Sequence, residues 1–343
     1  MKAVVLRKPG DVGVEEVADP TIEEAGDAIV RVRATAICGA DLFPFHGFTP
    51  GFENGTVLGH EFAGEVVEVG PSVMSVLPGR RVVNKSMISD GTCPYCLAGQ
   101  VTQCEGRSLF GYSGVYPRLD GGQAELVRVP QADRALLPLP DEVSDEAAVF
   151  LADILPTGYA SVVRGGVQVG DTVAVVGCGP VGLMAVLCAI GIAGRVIAVD
   201  GIAARRELAA GYGAEAVAPD EAPAAVQAAT DGLGADVVIE AAGSPGGLDA
   251  ALRLARGRGT VSVVGAHFEP DFPLDNALMF ERELTLRFTI GDPSRDGPRL
   301  LKLMAQGRLD PGAIVTHRMR LDDAAEAYRL FDSREATKVV MTP

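Results

Sequence analysis

The order of apolar and polar positions divides the chain into segments of two kinds. Up to about Val149, short alternating or apolar stretches separated by Gly and Pro predict β-strands; examples are KAVVLR, AIVRVRAT, RRVVNK and AELVRV. Such strands with irregular turns indicate a compact β-rich domain. From about Asp153 to Phe288, apolar strands such as TVAVVG, RVIAVD and DVVIEAAG alternate with helical stretches such as ARRELAAGYG and GGLDAALRLARG. This alternation indicates an α/β domain with a doubly wound parallel sheet.

A third segment, from about Thr289 to Pro343, contains two helix-like stretches, PRLLKLMAQG and LDDAAEAYRLFDS, and the closing strand ATKVVMTP. We expect it to pack back on the first domain, so that one domain is interrupted by the insertion of another. The predicted boundaries are residues 1–152 together with 289–343 for the first domain, and residues 153–288 for the inserted one.

The composition of the chain limits the kinds of molecule that it is expected to bind. The chain has 343 residues, of which 48% are hydrophobic and 22% charged, which is enough for two domains with sizeable cores. Its 45 acidic residues outnumber 30 basic ones, the net charge is −15, and no Lys/Arg-rich run occurs. The sequence therefore argues against nucleic acid or an anionic membrane as a partner. The stretch MKAVVLRKPG is too short and too charged for a signal sequence, so we expect a cytoplasmic protein.

One uncharged segment, between Asp171 and Arg195, would be flagged by a hydropathy window. Three glycines and a proline interrupt it near its middle. We therefore interpret it as a buried strand, a tight turn and a buried helix rather than as a membrane span.

The same segment contains the pattern G-x-G-x-x-G, which follows a strand and opens a helix. In such a turn the first glycine makes the bend, the second lets the backbone approach a pyrophosphate, and the third lets the helix pack closely on the strand. The helix N-terminus adds free N–H groups for phosphate. The motif therefore predicts a dinucleotide-binding site. Its residues are Gly177, Cys178, Gly179, Pro180, Val181 and Gly182.

The end of the next strand indicates which dinucleotide is bound. Asp200 lies 18 residues past Gly182, where a carboxylate accepts hydrogen bonds from the adenosine ribose hydroxyls and repels a 2′-phosphate. Arg205 nearby is evidence against this, because Arg can accommodate that phosphate. On balance the sequence favours NAD over NADP.

Two groups of residues have the chemistry of zinc ligands. Cys38 and His60 are separated by 22 residues, and a thiolate and an imidazole both suit zinc. Without further context, these two residues could equally be a buried Cys and a hydrogen-bonded His of the core, with no metal. Cys93, Cys96 and Cys104 crowd together, and in a chain without a signal sequence such clustering favours metal ligation over disulfides.

Several motifs occur together in one order: CGAD, GHEFAGEVVEVG, the Cys cluster, LADILPTGY, GCGPVG and the closing strand. In these motifs the sequence resembles the zinc-dependent medium-chain dehydrogenase/reductase family, the alcohol dehydrogenase-like proteins, over essentially the whole chain. The resemblance implies a GroES-like β-rich catalytic domain with an inserted Rossmann domain, and an active-site cleft between them.

The resemblance also implies a catalytic zinc with three protein ligands and an open position. These ligands fall on Cys38, His60 and Asp153; many relatives have Cys at the third position, whereas a subgroup has a carboxylate. Glu61 matches the family's Glu beside the metal. Asp41 matches an acid that orients the ligand His, although an Asp in a surface turn is the alternative.

A second, structural zinc is implied as well. The family places four thiolates there, and this chain fills the same spacing with Asp90, Cys93, Cys96 and Cys104. A carboxylate oxygen can replace a thiolate as a zinc ligand, and a lobe without metal and with three free thiols is the alternative.

Three further residues match family positions that contact the dinucleotide. Thr157 and Val181 match positions against the nicotinamide ring, where plain packing is the alternative. Lys338 matches a basic residue that approaches the pyrophosphate, with an exposed lysine at a strand end as the alternative.

One departure from the family bears on the reaction. Ala40 stands where the family has a Ser or Thr that relays the alcohol proton, and Phe43 stands where many members have a His. Three explanations remain open: a water or His46 carries the proton, the substrate supplies its own hydroxyl as a polyol could, or the chemistry needs no relay.

We therefore predict an oxidoreductase that depends on zinc and NAD(H) and acts on a small-molecule alcohol or polyol, or on the matching aldehyde or ketone. One alternative is a reductase of the same fold that adds hydride to an iminium or an activated alkene, as Ala40 would permit. An alternative of another class is a dinucleotide-binding protein without catalysis. The resemblance implies a homodimer or homotetramer.

Overall fold

The computed structural model describes residues 1–267 and 274–343, which form two compact units. The first unit comprises Met1–Asp153 and Asp292–Pro343, and the second comprises Ile154–Gly291. The first unit is therefore made from both ends of the chain, and the second from one continuous segment.

The first unit is built mainly from short strands around a mixed sheet. Its strands are β1 (Lys2–Lys8), β2 (Asp11–Glu16), β3 (Ala28–Ala36), β4 (Glu61–Val69), β5 (Arg81–Asn84), β6 (Met87–Ile88), β7 (Ser108–Leu109), β8 (Leu126–Val129), β9 (Leu136–Pro138), β16 (His317–Arg320) and β17 (Val339–Thr342). Its α-helices are α1 (Leu42–Phe45), α2 (Pro94–Leu97), α3 (Ala132–Ala135), α4 (Asp145–Val149), α11 (Pro293–Ala305) and α12 (Ala324–Asp332). Its 3-10 helices are Gly39–Asp41, Val101–Gln103, Phe150–Ala152, Gly312–Ile314 and Leu321–Asp323.

The main sheet of this unit has the order β16-β17-β3-β4-β5-β9, and β8 pairs with β3. The closing strand β17 pairs antiparallel with β3, with Val340 opposite Ala36. Alternate residues of β3 and β4 point to a core that includes Val30, Phe62 and Val66. The register between β3 and β4 sets Ala36 opposite Glu61, which brings the end of β3 beside the start of β4.

The second unit alternates strands and helices. Its strands are β10 (Thr172–Val176), β11 (Arg195–Val199), β12 (Glu215–Val217), β13 (Ala235–Glu240), β14 (Ala255–Val263) and β15 (Thr285–Phe288). Its helices are α5 (Ile154–Gly165), α6 (Pro180–Ile190), α7 (Ala203–Gly211), α8 (Ala222–Ala229), α9 (Pro245–Leu254) and α10 (Asn276–Glu281).

All pairs in its six-stranded sheet are parallel, in the order β12-β11-β10-β13-β14-β15. Every residue of the central strand β10 is buried, as expected where both faces of a parallel sheet are covered. The predicted doubly wound sheet is confirmed. The strand order reverses between β10 and β13, which is where such sheets bind ligands, at the carboxyl ends of the strands.

Some element boundaries differ from the sequence prediction. The stretch GGLDAALRLARG was predicted to stay helical, but α9 ends at Leu254 and β14 begins at Ala255, because Ala255 pairs with Ala235 in the sheet. The uncharged segment after Asp171 is β10, the turn and α6, as predicted. Among the described residues no single helix is long and apolar enough to span a membrane, and the consecutive helical stretches Asp145–Ala152 and Ile154–Gly165 pass that test only when taken together.

Candidate active site

Four side chains of the first unit converge from three separate parts of the sequence. Cys38, His60, Glu61 and Asp153 each offer a ligand atom, and these atoms all lie within 4.8 Å of one another. Asp153 Oδ2 is 3.7 Å from Cys38 Sγ and 3.3 Å from His60 Nε2. We call these four residues the 38–153 cluster. Cys38 comes just after β3, His60 just before β4 and Asp153 directly after the 3-10 helix Phe150–Ala152, so the local elements hold all of them.

The imidazole of His60 shows that the cluster suits a metal ion. The side chain is only 1% exposed, and neither ring nitrogen makes a well-aligned hydrogen bond with a described residue. Nδ1 lies 3.0 Å from Asp41 Oδ1, which leaves Nε2 directed toward the sulfur and carboxylate of the cluster. Zinc accepts one thiolate, one neutral imidazole and one carboxylate as ligands. A second carboxylate, here Asp41, commonly faces the ring nitrogen that does not bind the metal.

Protonation in the metal-free protein follows from burial and from charge. Burial raises the pKa of the Cys38 thiol to about 11, and the nearby Glu61 carboxylate adds to this. Burial opposes a charged imidazole, but the Asp41 carboxylate and the other groups around the ring outweigh it, and the pKa of His60 is raised. Zinc binds a thiolate and a neutral imidazole, so metal binding must displace the proton that these pKa shifts favour on each group.

Asp41 is buried, and one oxygen of its carboxylate is held by two hydrogen bonds. Its exposure is 0%, and Oδ2 accepts hydrogen bonds from the Cys38 N–H at 3.0 Å and from Gln123 Nε2 at 3.4 Å. The alternative of an aspartate in a surface turn is therefore wrong. The 3-10 helix Gly39–Asp41 places the carboxylate under the backbone of Cys38 and beside the ring of His60.

Lys338 lies inside the first unit. Its side chain is 0% exposed; Nζ donates to the carbonyl of Ile37 at 3.0 Å and also to the carboxylate of Glu61. Burial opposes the charge, but Glu61 raises the pKa of Lys338 on balance. The alternative of an exposed lysine at a strand end is therefore wrong, and the predicted pyrophosphate contact stays a prediction.

A second cluster lies in the lobe between β6 and β7. Ligand atoms of Asp90, Cys93, Cys96 and Cys104 lie within 4.8 Å of one another. Asp90 Oδ1 accepts hydrogen bonds from the N–H groups of Thr92 at 2.7 Å and Cys93 at 2.9 Å, which fixes the turn that leads into α2. Asp90 Oδ2 remains 3.2 Å from Cys104 Sγ. The carboxylate therefore shapes the loop with one oxygen and faces the thiols with the other.

In the second unit the glycine-rich turn has the geometry that its motif requires. Gly177 has φ +92°, and a Cβ there would lie 2.6 Å from Ala242 N. A Cβ at Gly182 would overlap the carbonyl of Gly177. Gly179 precedes α6 and is open, with Arg205 Nη1 the nearest atom, 3.9 Å from where its Cβ would be. Pro180 is the first residue of α6 and fits there because it lacks an N–H.

Asp200 follows β11 and lies against this turn. Its Oδ2 accepts a hydrogen bond from the Cys178 N–H at 2.7 Å, and its Oδ1 accepts one from the Ile202 N–H at 2.7 Å. Arg205 Nη1 is 4.0 Å from Asp200 Oδ2. The carboxylate thereby ties the fingerprint turn to the end of β11. Val181 is half-buried on α6, and Thr157 on α5 packs against Gly291.

Two polar residues, Tyr112 and His267, belong to no sequence motif that would have revealed their contacts. Tyr112 donates its hydroxyl to the carbonyl of Ala40, where the family relay hydroxyl is missing, and burial raises the pKa of Tyr112. His46, the alternative proton carrier, lies 2.8 Å from Asp332 on a partly exposed surface. His267 lies 2.9 Å from the buried Glu240 at the end of β13.

Two family models match the chain. Residues 24–141 match the alcohol dehydrogenase GroES-like domain, and residues 180–306 match the zinc-binding dehydrogenase model. Further relatives and structural neighbours include alcohol and polyol dehydrogenases.

Individual relatives match nearly the whole of this chain. A probable zinc-binding alcohol dehydrogenase of Mycobacterium tuberculosis is 39% identical over 341 residues, covering 99% of this chain and 87% of the relative. Zinc-type alcohol dehydrogenase B of Aspergillus flavus is 37% identical over 99% of this chain and 81% of its own length. The structure of alcohol dehydrogenase TADH from Thermus sp. ATN1 superposes with a TM-score of 0.95 at 40% identity, covering 100% and 99% of the two chains. The chain belongs to the zinc-dependent medium-chain dehydrogenase/reductase family.

Proposed function

We propose that this protein is a dehydrogenase that oxidises an alcohol or polyol with NAD, or reduces the matching carbonyl compound, at the 38–153 cluster. Membership of the family makes the chain an oxidoreductase that acts on small-molecule alcohols or carbonyl compounds. The observation that carries the more specific proposal is the convergence of the buried Cys38 and His60 with the partly exposed Asp153. Their ligand atoms surround the ring nitrogen Nε2 of His60, which makes no well-aligned hydrogen bond.

Zinc at this cluster would act as a Lewis acid on the substrate oxygen, and bound NAD would accept the hydride. The chain's own residues orient and protect this site. When the imidazole is neutral, the Asp41 carboxylate favours the proton on Nδ1, so Nε2 keeps its lone pair for a ligand. Lys338 neutralises Glu61, so that the interior beside the ligands does not carry an unpaired carboxylate.

The missing relay hydroxyl at Ala40 indicates which class of substrate the site suits. Ala40 offers no hydroxyl, and the Tyr112 hydroxyl donates to the backbone carbonyl there. Because burial raises the pKa of Tyr112, this phenol stays protonated and does not act as a base. A substrate with a second hydroxyl next to the reacting one would supply its own route for the proton, which favours a polyol. The relatives do not favour the altered reductase or the non-catalytic binder.

For the cofactor we infer NAD rather than NADP. Asp200 places its carboxylate at the edge of the fingerprint turn, where it would accept from ribose hydroxyls and repel a phosphate. Arg205 lies 4.0 Å from that carboxylate, so its positive charge is partly neutralised by Asp200 and is less available to a 2′-phosphate. A comparison of kcat/KM with the two cofactors tests this, and equal values would contradict it.

The second cluster, the assembly and the location belong to the same proposal. We assign a structural zinc to Asp90, Cys93, Cys96 and Cys104. We infer a homodimer or homotetramer, because β15 is an edge strand of its sheet and Phe288 at its end is 68% exposed. A cytoplasmic location fits the free thiols, since a reducing compartment preserves them.

The first experiment measures zinc per chain by elemental analysis, in protein purified without a chelator or a metal-affinity tag. Two zinc ions per chain are expected, one for each cluster. The variants His60→Ala and Asp153→Ala should each lose one zinc and the turnover of alcohol with NAD. His317→Ala, which changes a histidine outside both clusters, is the matched control. Unchanged turnover in His60→Ala would overturn the proposed mechanism.

A further inference from the structure

Four buried polar side chains form a continuous chain from helix α12 to a residue of the 38–153 cluster. The Tyr328 hydroxyl donates to Gln123 Oε1 at 2.9 Å, and Gln123 Nε2 donates to Asp41 Oδ2 at 3.4 Å. Asp41 Oδ1 in turn lies 3.0 Å from His60 Nδ1. None of the four is more than 1% exposed. Tyr328 and Gln123 are 205 residues apart in sequence, so the chain forms only when the first unit is folded.

The direction of this chain is fixed by its acceptors. The amide nitrogen of Gln123 faces the Asp41 carboxylate and also the carbonyl of Ala36 at 3.3 Å. Rotating the amide by half a turn would set its oxygen against both of these acceptors. The oxygen therefore faces Tyr328, and the phenol must donate to it. The donated protons thus all point toward Asp41.

The backbone of the same loop holds His60 from a second side. Gln123 N–H donates to the Leu58 carbonyl at 2.9 Å, and the Gly122 N–H donates to the Gly59 carbonyl at 2.8 Å. A Cβ at Gly59 would lie only 2.8 Å from Gln123 N. The residue before His60 is thus packed directly on the residue whose side chain reaches Asp41.

Packing alone does not require these polar groups. Tyr328 belongs to an apolar cluster with Leu321, Ala324 and Phe331, and its ring lies 5.6 Å from that of Phe45. A phenylalanine would fill this space without a hydroxyl to desolvate, and a buried polar group costs free energy unless it is hydrogen-bonded. The hydroxyl and the amide are therefore explained by what they hold, which is the carboxylate of Asp41.

We propose that Gln123 and Tyr328 are positioning residues that fix the orientation and the ring tautomer of His60 through Asp41. The inference rests on the proposed metal-ligand role of His60. With Oδ2 held by the Cys38 N–H and by Gln123, the Asp41 carboxylate cannot rotate, and Oδ1 stays in place for Nδ1–H. Residues that support a ligand in this way typically contribute about 10–100-fold to metal affinity.

The test is the equilibrium affinity for zinc, measured by competition with a chelator in Gln123→Leu, Tyr328→Phe and the double variant. Gln123→Leu should weaken binding at the 38–153 cluster by about 10–100-fold. Tyr328→Phe should weaken it less, and the double variant should be no weaker than Gln123→Leu, because the hydroxyl acts through the amide. The second cluster is the internal reference, and its affinity should not change. Thr56→Val, which removes another buried hydrogen-bonded hydroxyl of this unit, should leave both affinities unchanged.

The results separate this inference from the proposed function. Loss of one zinc in His60→Ala identifies the ion at the 38–153 cluster. If the His60→Ala variant retains both ions, His60 is not a metal ligand, and this inference is overturned as well. If His60→Ala behaves as expected but Gln123→Leu binds zinc as tightly as the wild type, only the positioning role is overturned. Additive losses in the double variant would also contradict it. If Gln123→Leu does not fold, the deciding measurement is the visible absorption spectrum with Co²⁺ in place of zinc. The absorption bands of Tyr328→Phe should be shifted from those of the wild type, and those of Thr56→Val should not.

Discussion

Lys338 and Glu61 form an ion pair that is completely buried, beside the side chains that we assign to the metal. Both side chains are 0% exposed, and the ammonium also bonds to the carbonyl of Ile37. A pair of this kind costs desolvation to form, but removing one partner leaves a buried charge without compensation. The pair therefore links Lys338, which directly precedes strand β17, to the first residue of β4, and the loss of either partner should destabilise the first unit.

Replacing the lysine tests this directly. Lys338→Met is expected to lower the free energy of unfolding by about 3–5 kcal/mol, because Glu61 is left unpaired. The double variant Lys338→Met/Glu61→Gln should recover part of the loss. Denaturant unfolding measures both. Lys2→Met, which removes an exposed ion pair with Asp322, is the matched control and should have a much smaller effect. A single variant as stable as the wild type would contradict the pairing.

The third ligand position is expected to accept a thiolate. Asp153→Cys should retain zinc at the 38–153 cluster, since sulfur is a common zinc ligand, whereas Asp153→Ala should lose it. Elemental analysis and Co²⁺ spectra check this, and a cysteine in place of the carboxylate should strengthen the sulfur-to-metal absorption band. Zinc loss in both variants would show that the carboxylate geometry itself is required.

The missing relay hydroxyl predicts a dependence on substrate class. Ala40→Ser is expected to raise kcat for simple monoalcohols about tenfold or more, because proton transfer typically contributes ~10²–10⁴-fold. Polyols, which bring their own neighbouring hydroxyl, should gain little. Steady-state rates on a matched monoalcohol and diol measure the difference. No gain with any monoalcohol would count against the relay explanation.

Thiol chemistry should distinguish the cysteines of the metal-free protein. N–H groups of Cys96 and Glu105 lower the pKa of Cys93, whereas burial raises the pKa of Cys178 and of Cys188 to about 12. The thiolate is the reactive form, so iodoacetamide should label Cys93 first and the two buried thiols only on unfolding. A lowered pKa keeps the thiolate populated as the pH falls, so acidification should slow the labelling of Cys93 less than that of free cysteine. Mass spectrometry of digests checks the order, and zinc should protect Cys93.

Cofactor preference should depend on Asp200. Both of its oxygens accept N–H hydrogen bonds, so Asp200→Asn sets an amide N–H against one of these donors and removes the charge. NAD affinity is expected to fall about tenfold, which corresponds to about 1.4 kcal/mol. The ratio of NADP to NAD affinity should rise, since Arg205 remains while the repulsion is gone. Asp249→Asn, on the exposed face of α9, is the control. An unchanged ratio would contradict the assignment.

Sequence patterns revealed those parts of the fold and site that depend on neighbouring residues. The apolar run of β10, Gly177 at positive φ and Pro180 at the helix start are local requirements, so their residue types stand in the sequence itself. Cys38, His60 and Asp153 could be grouped only through the family resemblance, because no local pattern joins positions so far apart.

The features of the fold and the site that the sequence did not reveal depend on contacts between distant segments. The partner of Lys338 is 277 residues away, and that of Tyr328 is 205 residues away, so neither could be found from periodicity or spacing. The start of β14 was also missed, because pairing with Ala235 overrides the helical pattern around Ala255. Gln123 lies just before the predicted strand AELVRV, and no sequence pattern indicates that its amide is buried against Asp41.

The arrangement of the two units along the chain has a consequence for synthesis on the ribosome. The second unit is continuous from Ile154 to Gly291 and can fold while translation proceeds, whereas the first unit waits for Asp292–Pro343. Glu61 lacks its ion-pair partner Lys338 until this last segment has been synthesised. The first unit can therefore complete the surroundings of the 38–153 cluster only after residues 292–343 have been synthesised.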